Sequence, residues 1–260
     1  MNNKYFKYEN LRPENKTINK PLVSLITVVK NNEKYIQETF KSIKNQTKKN
    51  FEYIVIDGNS TDGTKEIIKN NQNLIDFYIS ENDENLWDGF NKGMSLAKGE
   101  YIGFVNSDDV LLPKAMEIFE NYTKTKKFDF FFGSVKKHWG VLYGYKPWKI
   151  HYSWGFYSSH STGFYIKQSV FRDVGYYNLN YKYSADYDYF YRLIVKHKYK
   201  GTASKKDELF GIFRRGGFSS QIKFIDHFFE EIKIRLDNKQ NKFLILIIFF
   251  YKFIKNFKKF

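Results

Sequence analysis

Two adjacent carboxylates follow a short apolar segment of this chain, and their types and spacing are suited to chemistry. Asp108 and Asp109 come soon after residues 101–105, which read Tyr-Ile-Gly-Phe-Val. Such a run predicts a buried strand, and open α/β sheets bind ligands beyond the carboxyl ends of their strands. Neighbouring carboxylates repel each other, and a divalent cation with hard oxygen ligands, such as Mg²⁺ or Mn²⁺, offsets that repulsion. The pair therefore predicts a metal that holds a diphosphate; the alternative is a cap for a helix beginning near Pro113.

A second polar loop, residues 57–64, follows another apolar segment, residues 53–56. Asp57 ends that segment, where its carboxylate can accept a hydrogen bond from a ligand. Glycines in the loop allow tight backbone turns, and Thr61 or Asp62 can cap the helix that follows. The loop therefore predicts a second ligand contact.

Strand and helix patterns alternate along the first half of the chain, and this alternation would bring the two loops together. A β-rich run at 23–29 is followed by helical spacing at 35–43, and an apolar run at 77–79 by a helical pattern that ends at Gly99. Regular alternation predicts an α/β fold with a largely parallel, doubly wound sheet. Neither a Gly-rich dinucleotide fingerprint nor a phosphate loop follows the first strand, which argues against a Rossmann dehydrogenase and a P-loop enzyme.

Five stretches, in this order, resemble the family 2 inverting glycosyltransferases of the GT-A fold. Phe90 and Asn106 stand where many relatives have Arg and Asp, and they bring the chain closer to the bacterial colanic-acid-type subgroup. The resemblance covers about residues 21–220 and implies a Rossmann-like, mostly parallel central sheet flanked by helices, with a C-terminal helical appendage. The stretches are VSLITV at 23–28, VIDGNSTDGT at 55–64, SEND through WDGFNKG to AKGEYI at 80–102, NSDD at 106–109 and SADYDYFYRL at 184–193.

The resemblance implies a nucleotide-sugar site built from the first loops. Thr27 and Asp57 match positions that contact the base, and Ser60 assists them. Asp108 matches the ligand of the metal, Mn²⁺ or Mg²⁺, with Asp109 as a supporting or alternative ligand. Other matching positions near the donor and its ribose are Asp83, Asp88, Asn91 and Asn106.

The family's catalytic base aligns with Asp186, in a segment where the usual preceding Glu is replaced by Ala185. The reaction needs a positioned carboxylate, because a proton must leave the acceptor hydroxyl as it attacks C1. Asp188 is the alternative base. Both acids also fit the first turn of a helix at 186–196, where negative charge is favourable without any catalytic role.

Two further features carry basic side chains. His160 precedes a strand-like run at 163–166, and in similar proteins a His here lies by the acceptor site; a structural His is the alternative. Arg214 and Arg215 precede two glycines, which predicts a flexible loop whose Arg pair clamps the diphosphate on closing. A solvated basic turn is the alternative for this pair.

Charge and composition limit the class of protein. The chain has 260 residues, a net charge of +15 and no cysteine. The lack of cysteine excludes disulfides, thiolate metal sites and thiol catalysis, and it fits a cytoplasmic protein. The positive charge requires an anionic partner, which is nucleic acid, a membrane or a phosphorylated substrate. Because the basic residues are dispersed and no nucleic-acid-binding motif stands out, we expect no nucleic acid partner.

The chain divides into three parts. Residues 1–20 are a polar N-terminal extension, expected to be loosely ordered and to carry no export signal. Residues 21–220 are the catalytic domain, with a nucleotide-binding half at about 21–110 and an acceptor half at about 111–220. Residues 221–260 are basic, apolar helices.

The apolar run near the C-terminus, within residues 243–260, is shorter than the roughly 20 residues of a membrane-spanning helix. Its aromatics and trailing lysines are typical of a helix in the interface of an anionic bilayer, which predicts a peripheral protein on the inner face of the cytoplasmic membrane. Packing on the core or against a second subunit is the alternative.

These features together predict a metal-dependent inverting glycosyltransferase of bacterial surface polysaccharide biosynthesis, such as capsule, lipooligosaccharide or exopolysaccharide. It moves a sugar from a nucleotide-diphosphate donor, UDP by resemblance, to a hydroxyl of a growing glycan or lipid-linked acceptor. Two alternatives are a sugar nucleotidyltransferase, which releases pyrophosphate, and an inactive basic protein that binds membrane or nucleic acid.

Overall fold

A mostly parallel sheet runs through the middle of the molecule. The computed structural model describes residues 3–11, 20–152, 161–214 and 223–257. The strands are β1 (Val23–Val29), β2 (Phe51–Asp57), β3 (Phe77–Ser80), β4 (Tyr101–Phe104), β5 (Val110–Leu111), β6 (Phe130–Phe132), β7 (Ser134–Lys137), β8 (Gly140–Leu142), β9 (Phe164–Lys167), β10 (Gly201–Ala203) and β11 (Leu209–Ile212). The order of the seven-stranded sheet is β10-β6-β9-β4-β1-β2-β3. Strand β9 is antiparallel to both neighbours, and the other neighbours are parallel.

A second, four-stranded sheet has the order β5-β11-β7-β8. It starts where the chain leaves β4, because β5 follows that strand after a short turn. Strand β11 pairs with β5 and β7, so that the residue after it, Phe213, lies beside Lys136 of β7 and donates its backbone N–H to the Lys136 carbonyl at 2.9 Å. This sheet brings the segment after β11 back to the carboxyl end of β4.

Helices cover both faces of the central sheet. The side chains of β1 alternate between two hydrophobic clusters, as the two-residue period of a strand requires. Ile26 and Val28 lie in one cluster with Met94, and Leu25 lies in the other with Phe40. The helices are α1 (Phe6–Glu9), α2 (Ile36–Lys44), α3 (Thr64–Asn70), α4 (Leu86–Leu96), α5 (Ala115–Thr125), α6 (Gln168–Val174), α7 (Ala185–Tyr191), α8 (Phe224–Asp237) and α9 (Lys242–Lys255). The predicted α/β fold with a mostly parallel sheet flanked by helices is confirmed.

Residues 3–11 differ from the loosely ordered extension expected from the sequence, because they pack on α4. Tyr5 and Tyr8 are each only 1% exposed. The Tyr5 hydroxyl donates to Asp88 Oδ1 at 2.6 Å, and the Tyr8 hydroxyl donates to Glu81. The expectation rested on the polar composition of the segment, which does not show that the rings of these two tyrosines are buried and that their hydroxyls bind carboxylates. Residues 12–19 lie outside the described residues.

The C-terminal part consists of α8 and α9, which pack against each other and confirm the predicted helical appendage. The rings of Phe228 and Phe249 lie 5.2 Å apart, and Lys252 Nζ lies 2.6 Å from Glu231 Oε2. Asn241 caps α9, because its side chain accepts hydrogen bonds from the first turn of the helix. Within the described ranges, no helix has both the length and the apolar character needed to cross a membrane.

Candidate active site

The carboxyl ends of β1, β2 and β4 meet at one edge of the sheet, where hydrogen bonds join the loops that follow them. The backbone N–H of Asn31, after β1, donates to Ser60 Oγ, after β2, at 2.8 Å. Asn32 Nδ2 donates to Ser107 Oγ, after β4, also at 2.8 Å. Both polar loops predicted from the sequence therefore lie side by side, at the edge where open α/β sheets bind ligands.

Asp57 organises the loop after β2. It is fully buried, and its carboxylate accepts hydrogen bonds from Ser60 Oγ at 2.5 Å and from Ser80 Oγ at 2.6 Å. Thr27 is equally buried within β1, where its hydroxyl donates to the carbonyl oxygen of Val105 at 2.7 Å. Both residues therefore support the edge of the sheet from inside the protein. Their contact with a nucleotide base stays a prediction.

Asp108 and Asp109 have different surroundings. Asp109 is fully buried, and its Oδ2 accepts hydrogen bonds from Thr162 Oγ1 at 2.5 Å and Asn106 Nδ2 at 3.1 Å. Its Oδ1 accepts a hydrogen bond from the backbone N–H of Arg214 at 3.2 Å. Asp108, in contrast, is partly exposed on the same turn. Asp109 therefore fixes the turn, and Asp108 is the carboxylate that a ligand from solvent can reach.

The alternative that one of these carboxylates caps a helix does not fit the fold. Strand β5 lies between them and α5, which begins at Ala115. The residue before that helix, Lys114, makes no side-chain capping bond. The two acids therefore belong to the turn after β4, and neither of them caps α5.

Arg214 lies beside the acidic turn, and its role as a diphosphate clamp stays a prediction. Its guanidinium forms an ion pair with Glu38 and stacks over the Tyr35 ring, 4.6 Å from the centroid. The hydrogen bond with Glu38 and the charges of Glu38 and Asp108 raise the pKa of Arg214. Arg215 and His160, the other predicted basic residues, lie outside the described residues.

The donor set at this turn fits a Mg²⁺ or Mn²⁺ ion that shares its ligands with a substrate. In the ranges that the structure describes, no three His, Cys, Asp or Glu side chains converge into a complete metal site. Mg²⁺ is commonly bound through one or two carboxylates, with substrate phosphates and water completing the shell. Asp108 has one such carboxylate at the exposed side of the turn, and the guanidinium of Arg214 carries positive charge beside it. Their roles toward a metal and a phosphate stay predictions.

A buried lysine that the sequence motifs did not single out organises the donor side of the site. Lys92 is 1% exposed, and its Nζ lies 2.7 Å from Asp83 Oδ1 and 2.8 Å from Glu81 Oε1. Burial by itself lowers the pKa of Lys92, but the hydrogen bonds with Asp83 and Glu81 outweigh it and hold the pKa above its ordinary value. Asp83 in turn reaches over the loop after β2, because a Cβ on Gly58 would lie 2.8 Å from its Oδ2. Lys92 therefore holds Asp83 at the predicted donor site.

Asp88 and Asn91, two other predicted donor-site residues, have partners within the protein. Besides the bond from Tyr5, Asp88 Oδ1 accepts a hydrogen bond from Lys4 Nζ at 2.9 Å. Asn91 exchanges two hydrogen bonds with the backbone of Tyr177, each 2.9 Å long. These residues join the donor loop to the N-terminal segment and to the segment before α7. Their direct contact with a donor stays a prediction.

The two acids of α7 differ in their surroundings. Asp188 is buried, and its carboxylate accepts hydrogen bonds from Arg192 Nε at 2.9 Å and Asn238 Nδ2 at 2.8 Å. Asp186 is partly exposed, and its Oδ1 accepts a hydrogen bond from the adjacent backbone N–H of Tyr187 at 2.8 Å. Asp188 therefore links α7 to α8, whereas Asp186 is the more exposed of the two acids. The role of Asp186 as base stays a prediction.

Sequence comparison identifies the family of this site. The family model described as glycosyl transferase family 2 matches residues 24–190, which is more than half of the chain. The chain belongs to glycosyltransferase family 2. The family segment includes the loops after β1, β2 and β4 and ends in α7, so that it contains every described site residue above except Arg214.

Two curated relatives illustrate the similarity of this family 2 chain to other glycosyltransferases. An uncharacterized glycosyltransferase of Methanocaldococcus jannaschii is 31% identical over 68% of this chain and 66% of the relative. The GalNAc(5)-diNAcBac-PP-undecaprenol beta-1,3-glucosyltransferase of Campylobacter jejuni is 35% identical over 37% of this chain and 32% of the relative. The chain thus spans two thirds or less of the length of these relatives.

Solved structures confirm the GT-A fold of this family 2 protein. Staphylococcus aureus TarS 1–349 in complex with UDP-GlcNAc matches with a TM-score of 0.66 and 20% identity, over 82% of this chain and 65% of TarS. A Pyrobaculum calidifontis mannosyltransferase in complex with GDP-Man and Mn²⁺ matches with a TM-score of 0.65 and 13% identity, over 92% of this chain and 74% of the other.

An open polar cavity of about 570 Å³ does not coincide with the site of this family 2 protein. It lies between α7, α8 and the segment before α7, and it shares only Asp188 with the predicted site residues. Its two acids already have partners in the cavity wall, because Asp188 pairs with Arg192 at 2.9 Å and Asp237 accepts a hydrogen bond from the Tyr181 hydroxyl at 2.9 Å. We therefore assign the candidate active site to the edge of the sheet and not to this cavity.

Proposed function

We propose that this chain is a metal-dependent inverting glycosyltransferase that uses a UDP-sugar donor and a hydroxyl acceptor. The observation that carries the proposal is the pairing of a buried Asp109 with a partly exposed Asp108 at the carboxyl end of β4. This turn is joined to the loops after β1 and β2, so one bound nucleotide can touch all three. UDP is favoured as the nucleotide because the similar TarS structure holds UDP-GlcNAc.

The groups around the turn match the charge of a nucleotide diphosphate. Asp108, supported by Asp109, would hold Mn²⁺ or Mg²⁺, and such an ion stabilises negative charge on a departing diphosphate. Arg214 stands next to the same turn with a guanidinium that can donate two parallel hydrogen bonds to a phosphate. Glu38 now pairs with that guanidinium, so donor binding requires Arg214 to exchange one anionic partner for another.

Asp186 is the proposed base. The acceptor hydroxyl oxygen attacks C1 of the sugar from the face opposite the diphosphate, its proton passes to the Asp186 carboxylate, and the C1–O bond to UDP breaks. One sugar is thereby moved with inversion, and UDP is released. Asp188 is a weaker choice because its two carboxylate oxygens already bind Arg192 and Asn238.

We also propose that the protein acts at the inner face of the cytoplasmic membrane on a lipid-linked acceptor of a bacterial surface glycan. The support is the outer face of α9, which carries six exposed apolar side chains with lysines at both ends of the helix, and a seventh, Phe257, just after the helix. Such a face fits the interface of an anionic bilayer. The name of the Campylobacter relative, which includes an undecaprenol-linked glycan, is consistent with this class of acceptor. The exposed side chains are Phe243, Leu246, Ile247, Phe250, Tyr251, Ile254 and Phe257.

Calorimetric titration of the full chain with UDP, with and without Mn²⁺, tests the proposed donor site. We expect binding that requires Mn²⁺ and that Asp108→Ala abolishes. The control is Asp207→Ala, which removes an exposed carboxylate from the turn between β10 and β11 and should bind as wild type. Equal UDP binding by all three proteins, or no binding by wild type, would contradict the proposal. Release of pyrophosphate from UTP and a sugar 1-phosphate, with no release of UDP from a UDP-sugar, would support a nucleotidyltransferase.

A further inference from the structure

One carboxylate of α8 accepts hydrogen bonds from three successive backbone N–H groups of the segment that leads into α7. Glu230 Oε1 accepts a hydrogen bond from the Lys182 N–H at 2.5 Å. Its Oε2 accepts hydrogen bonds from the N–H groups of Tyr183 and Ser184, at 2.7 and 2.6 Å. All three contacts cross 46 to 48 positions of sequence, so they are a tertiary clamp and not a local turn.

The clamp replaces a capping side chain at the start of α7. Ser184 is the residue before this helix, and it makes no side-chain cap to the helix backbone. Its hydroxyl instead lies 2.9 Å from His227 Nδ1, one turn before Glu230 on α8. Hydrogen bonds between an ionised carboxylate and backbone N–H groups are shorter and stronger than neutral ones. Two side chains on one face of α8 therefore fix the direction in which the chain enters α7.

Helix α8 is itself a firmly held support. Arg235 is fully buried, with Nη2 2.7 Å from Glu231 Oε1 and Nη1 2.7 Å from the carbonyl oxygen of His151. Lys252 of α9 binds the same Glu231 carboxylate. A buried pair of this kind is costly to break, because removing one partner leaves an uncompensated charge in the interior. Glu230 therefore projects from a helix that cannot easily shift.

We propose that Glu230 is a positioning residue that sets the location of the Asp186 carboxylate by clamping residues 182–184. The inference rests on the proposed function, in which Asp186 is the base. Asp186 lies two residues beyond Ser184, in the first turn of α7, so a rotation of the clamped segment moves its carboxylate directly. Displacing a catalytic group by about 1 Å can lower a rate by about 100-fold.

The test compares Glu230→Gln with Asp226→Asn. Glutamine keeps the size of the side chain but replaces one acceptor oxygen with an N–H donor that faces a backbone N–H. Asp226→Asn removes the same charge from the same helix, one turn earlier, and leaves the clamp intact. Hydrogen–deuterium exchange of the amides of residues 182–184 reports the clamp, and UDP affinity with Mn²⁺ reports the donor site. Release of UDP from UDP-GlcNAc and UDP-glucose, with water as the acceptor, reports turnover.

In the Glu230→Gln protein we expect faster exchange of the three amides, UDP affinity within about two-fold of wild type and a kcat lowered by about 10- to 100-fold. Asp226→Asn should match wild type in all three measurements. A donor KM that rises in proportion as kcat falls would indicate general loosening and would overturn the positioning role. Unchanged amide exchange in Glu230→Gln, or unchanged kcat despite faster exchange, would also overturn it.

The outcome for the proposed function is separate. If the wild-type protein does not bind UDP and does not release UDP from either donor, the proposed function fails. The amide exchange of Glu230→Gln still decides whether the clamp exists. If wild type turns over donor and Glu230→Gln turns over equally well, the proposed function stands and the positioning role fails.

Discussion

The indole Nε1 of Trp87 donates a hydrogen bond to the carbonyl oxygen of Lys182 at 3.0 Å. Trp87 lies in the first turn of α4, beside the donor-side acids, and Lys182 lies in the segment that leads to Asp186. The segment is therefore held from two sides, by Trp87 through a carbonyl oxygen and by Glu230 through N–H groups. This hydrogen bond therefore connects the region proposed to bind the donor with the segment that carries the proposed base.

Replacing Trp87 with Phe should weaken this connection while keeping an aromatic ring in contact with Tyr177, whose ring lies 5.0 Å away. The Lys182 carbonyl oxygen loses its donor in a partly buried hydrogen bond, so we expect the free energy of unfolding to fall by about 0.5–1.5 kcal/mol. Urea denaturation measures this change. Trp148→Phe is the matched control, because Trp148 is 59% exposed and its replacement should change stability by less than about 0.5 kcal/mol. Equal effects of the two substitutions would contradict the structural role of the indole N–H.

The hydrogen bond between Thr162 and the buried Asp109 leads to a second prediction about stability. Thr162→Val removes the hydroxyl that donates to Asp109 Oδ2 at 2.5 Å and leaves a buried carboxylate with one donor fewer. We expect a loss of about 1–3 kcal/mol in the free energy of unfolding. Thr125→Val is the control, since the Thr125 hydroxyl donates to a helix carbonyl in an exposed position. If both variants unfold at the same urea concentration as wild type, Asp109 does not depend on Thr162.

Substitutions of the two acids of α7 should have different effects, one on the rate of reaction and the other on stability. Asp186→Asn should lower the rate of UDP release by about 100- to 10,000-fold, as expected for loss of a general base, with little change in thermal stability. Asp188→Asn should instead lower the free energy of unfolding by about 1–3 kcal/mol, because Arg192 loses its charged partner. Steady-state kinetics and thermal unfolding of both variants distinguish these outcomes. A large loss of rate in Asp188→Asn without a loss of stability would instead indicate that Asp188 is the base.

How much of this arrangement the sequence could predict depends on the range of the contacts. The strand that ends at Asp57 and the strand that precedes the turn with Asp108 were recognisable, because apolar runs followed by polar turns are local patterns. Glu230 was not recognisable, because its partners lie 46 to 48 positions away on a segment that only the fold brings near it. Lys92 was not recognisable, because no local pattern shows that its side chain is buried against the Asp83 and Glu81 carboxylates. Asp186 and Asp188 look alike in the sequence, since both fit the first turn of a helix. Asn238, about 50 positions further along the chain, is what separates them.

The contact between Tyr5 and Asp88 predicts a pH-dependent contribution to stability. Burial by itself raises the pKa of Asp88, but the hydrogen bonds from Tyr5 and Lys4 outweigh it and hold the pKa below the ordinary value of 3.8. A carboxylate with a lowered pKa stabilises the fold above its unfolded-state pKa, and the contribution is lost as the pH falls through its folded-state pKa. Tyr5→Phe should therefore lower the free energy of unfolding by about 1–3 kcal/mol at about pH 7.

The difference between Tyr5→Phe and wild type should shrink as the pH falls from the ordinary pKa of 3.8 through the lowered folded-state pKa of Asp88, because Asp88 becomes protonated in both proteins. Urea denaturation at several pH values measures it. Tyr199→Phe is the control, since Tyr199 donates at 2.8 Å to Asp173 in an exposed position, where solvent screens the interaction. A difference that stays constant across this pH range would show that the contact does not depend on the charge of Asp88.

The outer face of α9 predicts binding to anionic membranes. Ile254 is 72% exposed and lies on the side of α9 away from the contacts that Phe249 and Lys252 make with α8, so Ile254→Glu should not disturb the fold. Burying an isoleucine contributes about 1.5–3 kcal/mol, so the affinity for vesicles should fall by about 10-fold or more. Phe6→Glu, at a residue 60% exposed on α1, is the matched control.

Co-sedimentation with vesicles of phosphatidylcholine, with and without phosphatidylserine, tests this. Wild type and Phe6→Glu should bind the anionic vesicles, and binding should weaken in about 0.5 M salt because the lysine charges are then screened. Equal loss in both variants, or no binding of wild type to anionic vesicles, would contradict the membrane role. If wild type is a dimer in sedimentation equilibrium and Ile254→Glu is a monomer that binds vesicles as well as wild type, the face is a subunit interface instead.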